Sequence, residues 1–328
     1  MTNIVYRPLG KNGPSVSAIG LGCMSLSGVY GAAEDAQSET LIRHAIDQGI
    51  NHLDSSDMYG WGQNEEVVGR AIKGRRHKVV LATKFGQVRG DNGVHTVNGR
   101  PEYVRAACDA SLKRLGVDMI DLYYQHRVDP DVPVEETVGA MSRLVEEGKV
   151  RCLGLSEAKP ERIRRAHAVH PIAAVQTEYS ILYRTEAEET RQTTRDLGIT
   201  FVAYSPLGRG FLTGALKSLA DIDGRRAQHP RFQAEHFDHN RALAARIEAL
   251  AAAKGCTPSQ LTLAWLLAQG DDVVAIPGTR YPHRLDENAG AMAVTLAPAE
   301  IEEIGAAVPK GSTSGDRYPA GGMKAVYL

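Results

Sequence analysis

Residues 79–86 read VVLATKFG. The run Val79–Thr83 has no alternation of polar and apolar side chains. That is how a strand buried on both faces reads. The run then ends in Lys84. An ammonium at the end of a buried strand is costly unless it meets a partner. The same pattern of a short apolar run recurs on either side: Ala18–Leu21, Asn51–Asp54, Met119–Tyr124, Val150–Leu155, Ala173–Gln176, Thr200–Tyr204 and Val273–Ile276. Several of these also end on a polar or charged residue.

Between the runs lie amphipathic, helical patterns: Ser38–Gln48, Asn64–Ile72, Pro101–Leu115, Pro133–Glu147, Pro160–Val169, Glu186–Leu197, Asn240–Lys254 and Pro258–Ala268. Proline at the start of several of them suits the first helical turn. Strand alternating with helix implies a parallel sheet. Eight strand candidates favour closure into a (β/α)₈ barrel, an α/β fold of the TIM-barrel kind, over an open doubly wound sheet. No Gly-x-Gly-x-x-Gly follows an early strand, so the usual dinucleotide fingerprint is missing. IVYRPL and SVSAIGL flank a Gly/Asn/Pro-rich turn and predict an N-terminal β-hairpin. The stretch Lys310–Leu328 has no periodicity and reads as a C-terminal loop over the active-site face. No low-complexity linker interrupts the chain, so residues 1–328 are expected to form a single barrel domain.

The 328 residues carry 38 Lys+Arg and 39 Asp+Glu, a net charge of −1. That balance gives no reason to expect a nucleic-acid partner or a membrane surface. Cys23, Cys108, Cys152 and Cys256 are far apart, which argues against a zinc site and a disulfide framework. Thiols of this kind suit a reducing cytosol, so a cytoplasmic location is expected. No apolar leader pattern or 18-residue apolar run occurs in the sequence.

In a βα barrel, chemistry collects where strands end at their C-terminal side. Asp54 ends the second candidate strand, Lys84 the third and His126 the fourth. Tyr59 follows Asp54 in the loop DSSDMYGWG. Ser156, Gln176 and Tyr204 end the next three. Each has a bland reading alone: Asp54 a helix cap, Lys84 a loop lysine, His126 a structural histidine. Together they make chemical sense. A lysine between an aspartate and a phenol favours the phenolate and is expected to lower the tyrosine below its usual value. Such a tyrosine is a general acid. A histidine beside it could orient a carbonyl oxygen. Protonating an alkoxide presupposes hydride delivery, hence a cofactor. A metal-dependent barrel hydrolase is the rival, but His44, His52, His77 and His95 are scattered.

These residues also match a family. DSSDMYG, LATKFG, YYQHRVD, GLSEA, VQTEYSILYR, AYSPLGRGFLTG and IPGTRYPHRLDEN, in this order from about Val5 to Asn288, resemble the aldo-keto reductases. The texture is similar to the side of that superfamily with pyridoxal-reductase-like, alkaloid-reductase-like and potassium-channel β-subunit-like members. The resemblance implies an NADPH-dependent reductase of aldehydes and ketones with Asp54, Tyr59, Lys84 and His126 as its tetrad. A channel β-subunit-like regulator that binds the cofactor with little turnover is the alternative.

The resemblance further places the nicotinamide amide at Ser156 and Gln176, and the ring on Tyr204. Glu157 stands where many relatives have Asn. Ser205, Leu207, Gly208, Arg209 and Gly210 would form the pyrophosphate loop. Gly278, Thr279, Arg280, Arg284, Glu287 and Asn288 resemble the adenosine-phosphate site, with glycine at 278 where many relatives have lysine. Two guanidiniums suit a 2′-phosphate, which favours NADPH over NADH. Met24, Tyr30, Trp61, Phe85 and Arg127 would frame the substrate pocket, with the tail around Arg317 and Tyr318. Arg127 could grip an anionic substrate or pair with Asp129 or Asp131. A small-molecule carbonyl substrate is the expected partner; monomer and homo-oligomer stay equally open.

Overall fold

The computed structural model describes residues 3–28, 34–90, 95–222 and 224–328. Its parallel strands are β1 (Leu21–Gly22), β2 (His52–Asp54), β3 (Val80–Phe85), β4 (Ile120–Gln125), β5 (Val150–Ser156), β6 (Ile172–Glu178), β7 (Thr200–Tyr204) and β8 (Val273–Ala275). They lie side by side in chain order in one eight-stranded sheet. Its two edges meet. Ile19 bridges Ala275 in parallel. Ala275 N–H donates to Ala18 O at 2.9 Å, and Gly20 N–H donates to Ala275 O at 2.8 Å. The sheet therefore closes on itself, as the eight-strand pattern implies.

Strand side chains alternate between the two faces. Here the alternation divides even from odd numbers. Val80, Ala82, Leu122, Tyr124, Ala174, Val202 and Val274 form the apolar cluster inside the barrel. Leu53, Leu81, Phe85, Tyr123, Leu153, Leu155 and Val175 belong to the cluster between sheet and helices. Gly154 is even-numbered, and a Cβ there would lie 2.4 Å from a ring carbon of Tyr124. The interior has room for that tyrosine only because position 154 has no side chain.

The helices outside the sheet are α1 (Asp35–Asp47), α2 (Gln63–Ile72), α3 (Pro101–Leu115), α4 (Val134–Glu146), α5 (Pro160–Val169), α6 (Thr185–Leu197), α7 (Ala234–Lys254), α8 (Pro258–Leu267), α9 (Pro282–Gly290) and α10 (Pro298–Ala307), with one short turn of helix, α11 (Ala320–Met323), in the tail. Proline opens α3, α5, α8, α9 and α10, where its missing N–H has no partner to lose. The sequence pattern anticipates most of these boundaries. Helix α7 starts at Ala234 rather than Asn240, and α9 and α10 lie outside the eight helical patterns. Ala297 N–H donates to the Glu300 carboxylate at 2.7 Å and starts α10.

The expected hairpin is present: Tyr6–Pro8 pairs antiparallel with Ser15–Ser17. Its Leu9 and Val16 join the interior cluster and close the end of the barrel away from the strands' C-terminal side. A second small hairpin, Gln87–Arg89 with His95–Val97, follows β3. Among the described residues, no helix is long and apolar enough to cross a membrane.

Candidate active site

Asp54, Lys84, His126, Ser156, Gln176 and Tyr204 are all even-numbered. They lie within two residues of the C-terminal ends of β2 to β7. Parity turns each of them inward at one mouth of the barrel. The loop after β2 brings Tyr59 to them. Ser55 N–H donates to Ala82 O at 2.9 Å and Asp57 N–H to Lys84 O at 3.1 Å, so the loop continues the pairing to β3. It then turns through Gly60, Trp61 and Gly62, all left-handed, at φ 57, 52 and 102°. Asn64 anchors the turn from below. It accepts from Ser55 Oγ at 2.7 Å and donates to Cys23 O at 2.9 Å.

Lys84 is the hub. Its Nζ donates to Asp54 Oδ1, to Ser55 O at 2.8 Å and to Tyr59 Oη at 3.4 Å. The other oxygen of Asp54 accepts from Gln176 Nε2 at 2.8 Å. His126 Nδ1 lies 3.1 Å from Ser56 Oγ. Its ring meets that of Tyr59 edge-on, with centroids 6.0 Å apart. Lys84 and Asp54 are 0% and 1% exposed. Charges so deep persist only because each satisfies the other.

The electrostatics follow from that burial. Desolvation opposes the Lys84 ammonium, but Asp54 and Tyr59 together outweigh it and hold lysine above its ordinary value. Burial pushes the Tyr59 phenol upward, and the opposing pull of Lys84 does not reverse it. This corrects the expectation of a lowered tyrosine: in so dry a site desolvation wins. Burial, with Arg127 and Lys84 as neighbouring cations, pushes His126 well below the usual imidazole value. His126 is therefore neutral at pH 7. The Ser56 contact at Nδ1 leaves Nε2 for a further hydrogen bond.

Beside the mouth lies a buried ionic cluster. Arg317, from the C-terminal tail, is 1% exposed and grips Glu157 through both terminal nitrogens, at 2.8 and 2.9 Å. Glu157 also accepts from Tyr204 Oη at 2.8 Å. Tyr204 Oη lies 2.9 Å from Tyr318 Oη. Glu178, two residues past Gln176 on β6, is paired with Arg209 at 2.8 Å and Arg231 at 2.9 Å. The tail thus crosses the strand ends, as its place in the chain suggested. It is held by charge rather than by loop packing alone.

Two further groups of predicted residues lie on neighbouring segments. In the stretch Ser205–Gly210, Ser205, Gly208, Arg209 and Gly210 are left-handed, at φ 49, 57, 54 and 109°. Beyond β8, Gly278, Thr279 and Arg280 lead into α9, which carries Arg284, Glu287 and Asn288. Ser25 Oγ donates to Thr279 O at 3.0 Å and ties this segment to the turn after β1. Arg284 Nη1 lies 2.8 Å from Glu287 Oε2.

The model of the Aldo/keto reductase family matches residues 18–309. The chain belongs to this family. A probable aldo-keto reductase of Glycine max is 49% identical over 97% of this chain and 93% of its own length. A Schizosaccharomyces pombe aldo-keto reductase whose name specifies NADP(+) is 46% identical over 99% of this chain and 98% of its own. Among solved structures, a glycerol dehydrogenase of Gluconobacter oxydans superposes with a TM-score of 0.84 at 28% identity, covering 95% of this chain and 97% of that one. The holo form of an aldo-keto reductase of Bacillus halodurans gives 0.80 at 28% identity, over 95% of this chain and 98% of that one. Membership makes the chain an oxidoreductase.

Against this aldo-keto reductase frame, some expected positions move. Phe85 does not reach the opening. It is odd-numbered, 0% exposed, and stacks on Tyr123 at 4.9 Å between sheet and helices. Arg209 does not extend its charge from the loop, because its guanidinium turns inward to Glu178 and over the Tyr318 ring at 4.9 Å. Tyr30 lies outside the described residues. Met24 is half-buried in the turn after β1, and Trp61 is 43% exposed beside Tyr59. Arg127 pairs with neither Asp129 nor Asp131. Its Nη1 donates to His126 O at 2.8 Å and to Ser156 Oγ at 3.3 Å.

Ser56, Glu178 and Arg231 were not anticipated. Glu178 had a signal: on one strand face it follows Gln176 by two residues. Ser56 likewise follows Asp54 by two. Arg231 had none, since it comes from a loop without periodicity.

Proposed function

We propose that this chain reduces aldehydes and ketones to alcohols with NADPH. The observation that carries the reading is the continuous chain Gln176–Asp54–Lys84–Tyr59 beside a neutral His126, gathered at one barrel mouth. Bound there, NADPH supplies the hydride to the carbonyl carbon.

Tyr59 protonates the developing alkoxide. Its raised value keeps the phenol protonated across neutral pH, so every molecule holds the acid ready. Lys84 stabilises the phenolate left behind, and Asp54 keeps Lys84 charged and aimed. His126 donates from Nε2 to the carbonyl oxygen and fixes which face of the carbon is presented. Gln176 holds Asp54 in place. Trp61 and Met24 border the opening and favour substrates with an apolar body.

The residues fit NADP(H). Leu207, at φ −98° and ψ 19°, followed by left-handed Gly208, makes a turn that could gather successive amides around an anion. Arg280 and Arg284 flank the first turn of α9, whose dipole favours a phosphate. Ser156 and Gln176 would hold the nicotinamide carboxamide, with Tyr204 under the ring. The name of the S. pombe relative specifies the same cofactor. Four cysteines, all free, suit a reducing cytoplasm.

Fluorescence titration of the purified protein with NADPH, and with NADH as control, tests the cofactor. Adding aromatic and aliphatic aldehydes while following the nicotinamide absorbance tests the reaction. Tight NADPH binding with steady oxidation is expected. Binding without turnover of any aldehyde would overturn the reductase reading.

A further inference from the structure

The ionic cluster beside the mouth is not balanced. Its carboxylates are Glu157, Glu178 and Glu186, and its guanidiniums are Arg209, Arg231, Arg317 and Arg127. Arg317 takes Glu157 and reaches Glu186 at 3.1 Å, while Arg209 and Arg231 share Glu178. Arg127 is the fourth guanidinium and has no carboxylate within ion-pair distance among the described residues.

The nearest candidates in sequence are otherwise engaged. Asp129 accepts from Gly99 N–H at 2.7 Å and from Asp131 N–H at 2.9 Å. Asp131 makes no ion pair among the described residues. Arg127 donates only to two neutral oxygens, His126 O and Ser156 Oγ, both through Nη1. Its Nε and Nη2 have no acceptor among the described residues. Yet the side chain is deep, with the residue 8% exposed. A largely buried cation without an anion is expensive unless something completes it.

Its surroundings point the same way. Arg127 follows His126 directly and touches Ser156, so it sits between the carbonyl-orienting histidine and the nicotinamide end of the cofactor site. Tyr204, Tyr318, Glu157 and Tyr59 are the ionisable groups that act on it most strongly, and its own charge acts on His126. Glu157 is the carboxylate among them, and Arg317 neutralises it. Asp54 and Lys84 cancel one another, and His126 is neutral. The pocket is left with one surplus positive charge against a wall of phenols.

We propose that Arg127 selects carbonyl substrates that carry a carboxylate, the oxo acids and acid aldehydes. This rests on the reductase reading above. A single planar guanidinium matches a single planar carboxylate in charge and in hydrogen-bond geometry. A phosphate would bring nearly twice that charge against one cation.

The test uses matched acid and ester pairs: 4-carboxybenzaldehyde against its methyl ester, and succinate semialdehyde against its methyl ester. Wild-type protein is expected to favour the acid in at least one pair by about tenfold or more in kcat/KM, because the ester leaves the guanidinium unpaired. The preference should lie mainly in KM. Arg127→Met should bring the ratio to about one. The ratio is the readout because losing the bond to His126 O weighs equally on both members of a pair. Should that variant not fold, Arg127→Lys should cut the ratio roughly threefold, since an ammonium lacks the fork. A wild-type ratio near one in both pairs, or a ratio unmoved by either variant, overturns the proposal. If none of the aldehydes turns over, the reductase reading has failed separately. Calorimetric titration with benzoate against benzamide, with and without NADP⁺, then decides. Benzoate binding weakened about tenfold by Arg127→Met supports the selector, and absence of benzoate binding overturns it.

Discussion

Gln176 and Asp54 meet across the barrel mouth, with the Gln176 amide donating to Asp54 Oδ2 at 2.8 Å. One oxygen of Asp54 thus faces β6 and the other faces Lys84. The carboxylate cannot rotate without breaking one of the two. Gln176→Leu removes the outer restraint and leaves a buried carboxylate oxygen unsatisfied. We expect kcat to fall about tenfold and the melting temperature by a few degrees. Turnover within twofold of wild type would show that Lys84 alone aligns Asp54.

Tyr59 carries the pH dependence. Reduction needs the protonated phenol, and burial places its titration above the ordinary value near 10. His126 stays neutral down to well below pH 6.5. The rate of reduction should therefore be level from about pH 7 to 9 and fall only in the alkaline range. Alcohol oxidation needs the phenolate and should rise over that same range. Tyr59→Phe should lower turnover by about a thousandfold while NADPH titration is unchanged. A reduction rate that already falls between pH 7 and 8 would refute the raised phenol.

The sequence carried the barrel because strand and helix use different periods, and eight runs repeated the contrast. It carried the inward groups at the mouth for a related reason: each lies within two residues of the end of a buried strand. Phe85 is next to Lys84 in sequence but does not share its face. On a strand, adjacent residues face opposite sides. The tail was legible as a loop over the site, but not as an ionic latch. Arg317 finds Glu157 across 160 residues, and no local pattern encodes such a meeting. The direction of the Tyr59 shift was missed because burial depth is a property of the packed molecule.

Arg317 anchors the tail through a pair that solvent hardly reaches. Arg317→Met should cost about 3–5 kcal/mol, lowering the melting temperature by roughly 5–10 °C, since it strands the Glu157 charge. Adding Glu157→Gln to that variant should recover part of the loss. Simple additivity of the two losses would show that the pair does not act as a unit.

Glu178 sets an acid limit on stability. Burial would raise its carboxyl, but Arg209, Arg231 and Arg317 outweigh burial and hold it at about 2, against an ordinary 4.5. Because the folded value is the lower one, the stabilisation is full above pH 4.5. It is lost as the pH falls toward 2. The group contributes on the order of 3 kcal/mol. Urea midpoints measured from pH 7 to pH 3 should hold steady above about pH 5 and then fall steeply. A midpoint still level at pH 3 would mean that the arginines do not hold Glu178 ionised.

Arg284 tests the cofactor's adenosine end. Its guanidinium pairs with Glu287 at 2.8 Å, but its side chain remains 42% exposed at the start of α9. The pairing leaves it accessible to a 2′-phosphate, with Arg280 ahead of it and the helix dipole beneath both. NADH has no such phosphate and leaves this contact unused. Arg284→Ala should therefore weaken NADPH about tenfold or more while changing NADH less than twofold. Titrations of both nucleotides against wild type and variant measure the ratio. An equal loss for the two would assign Arg284 to holding Glu287 and α9 rather than to the 2′-phosphate. The choice of NADPH would then have to rest on Arg280 alone.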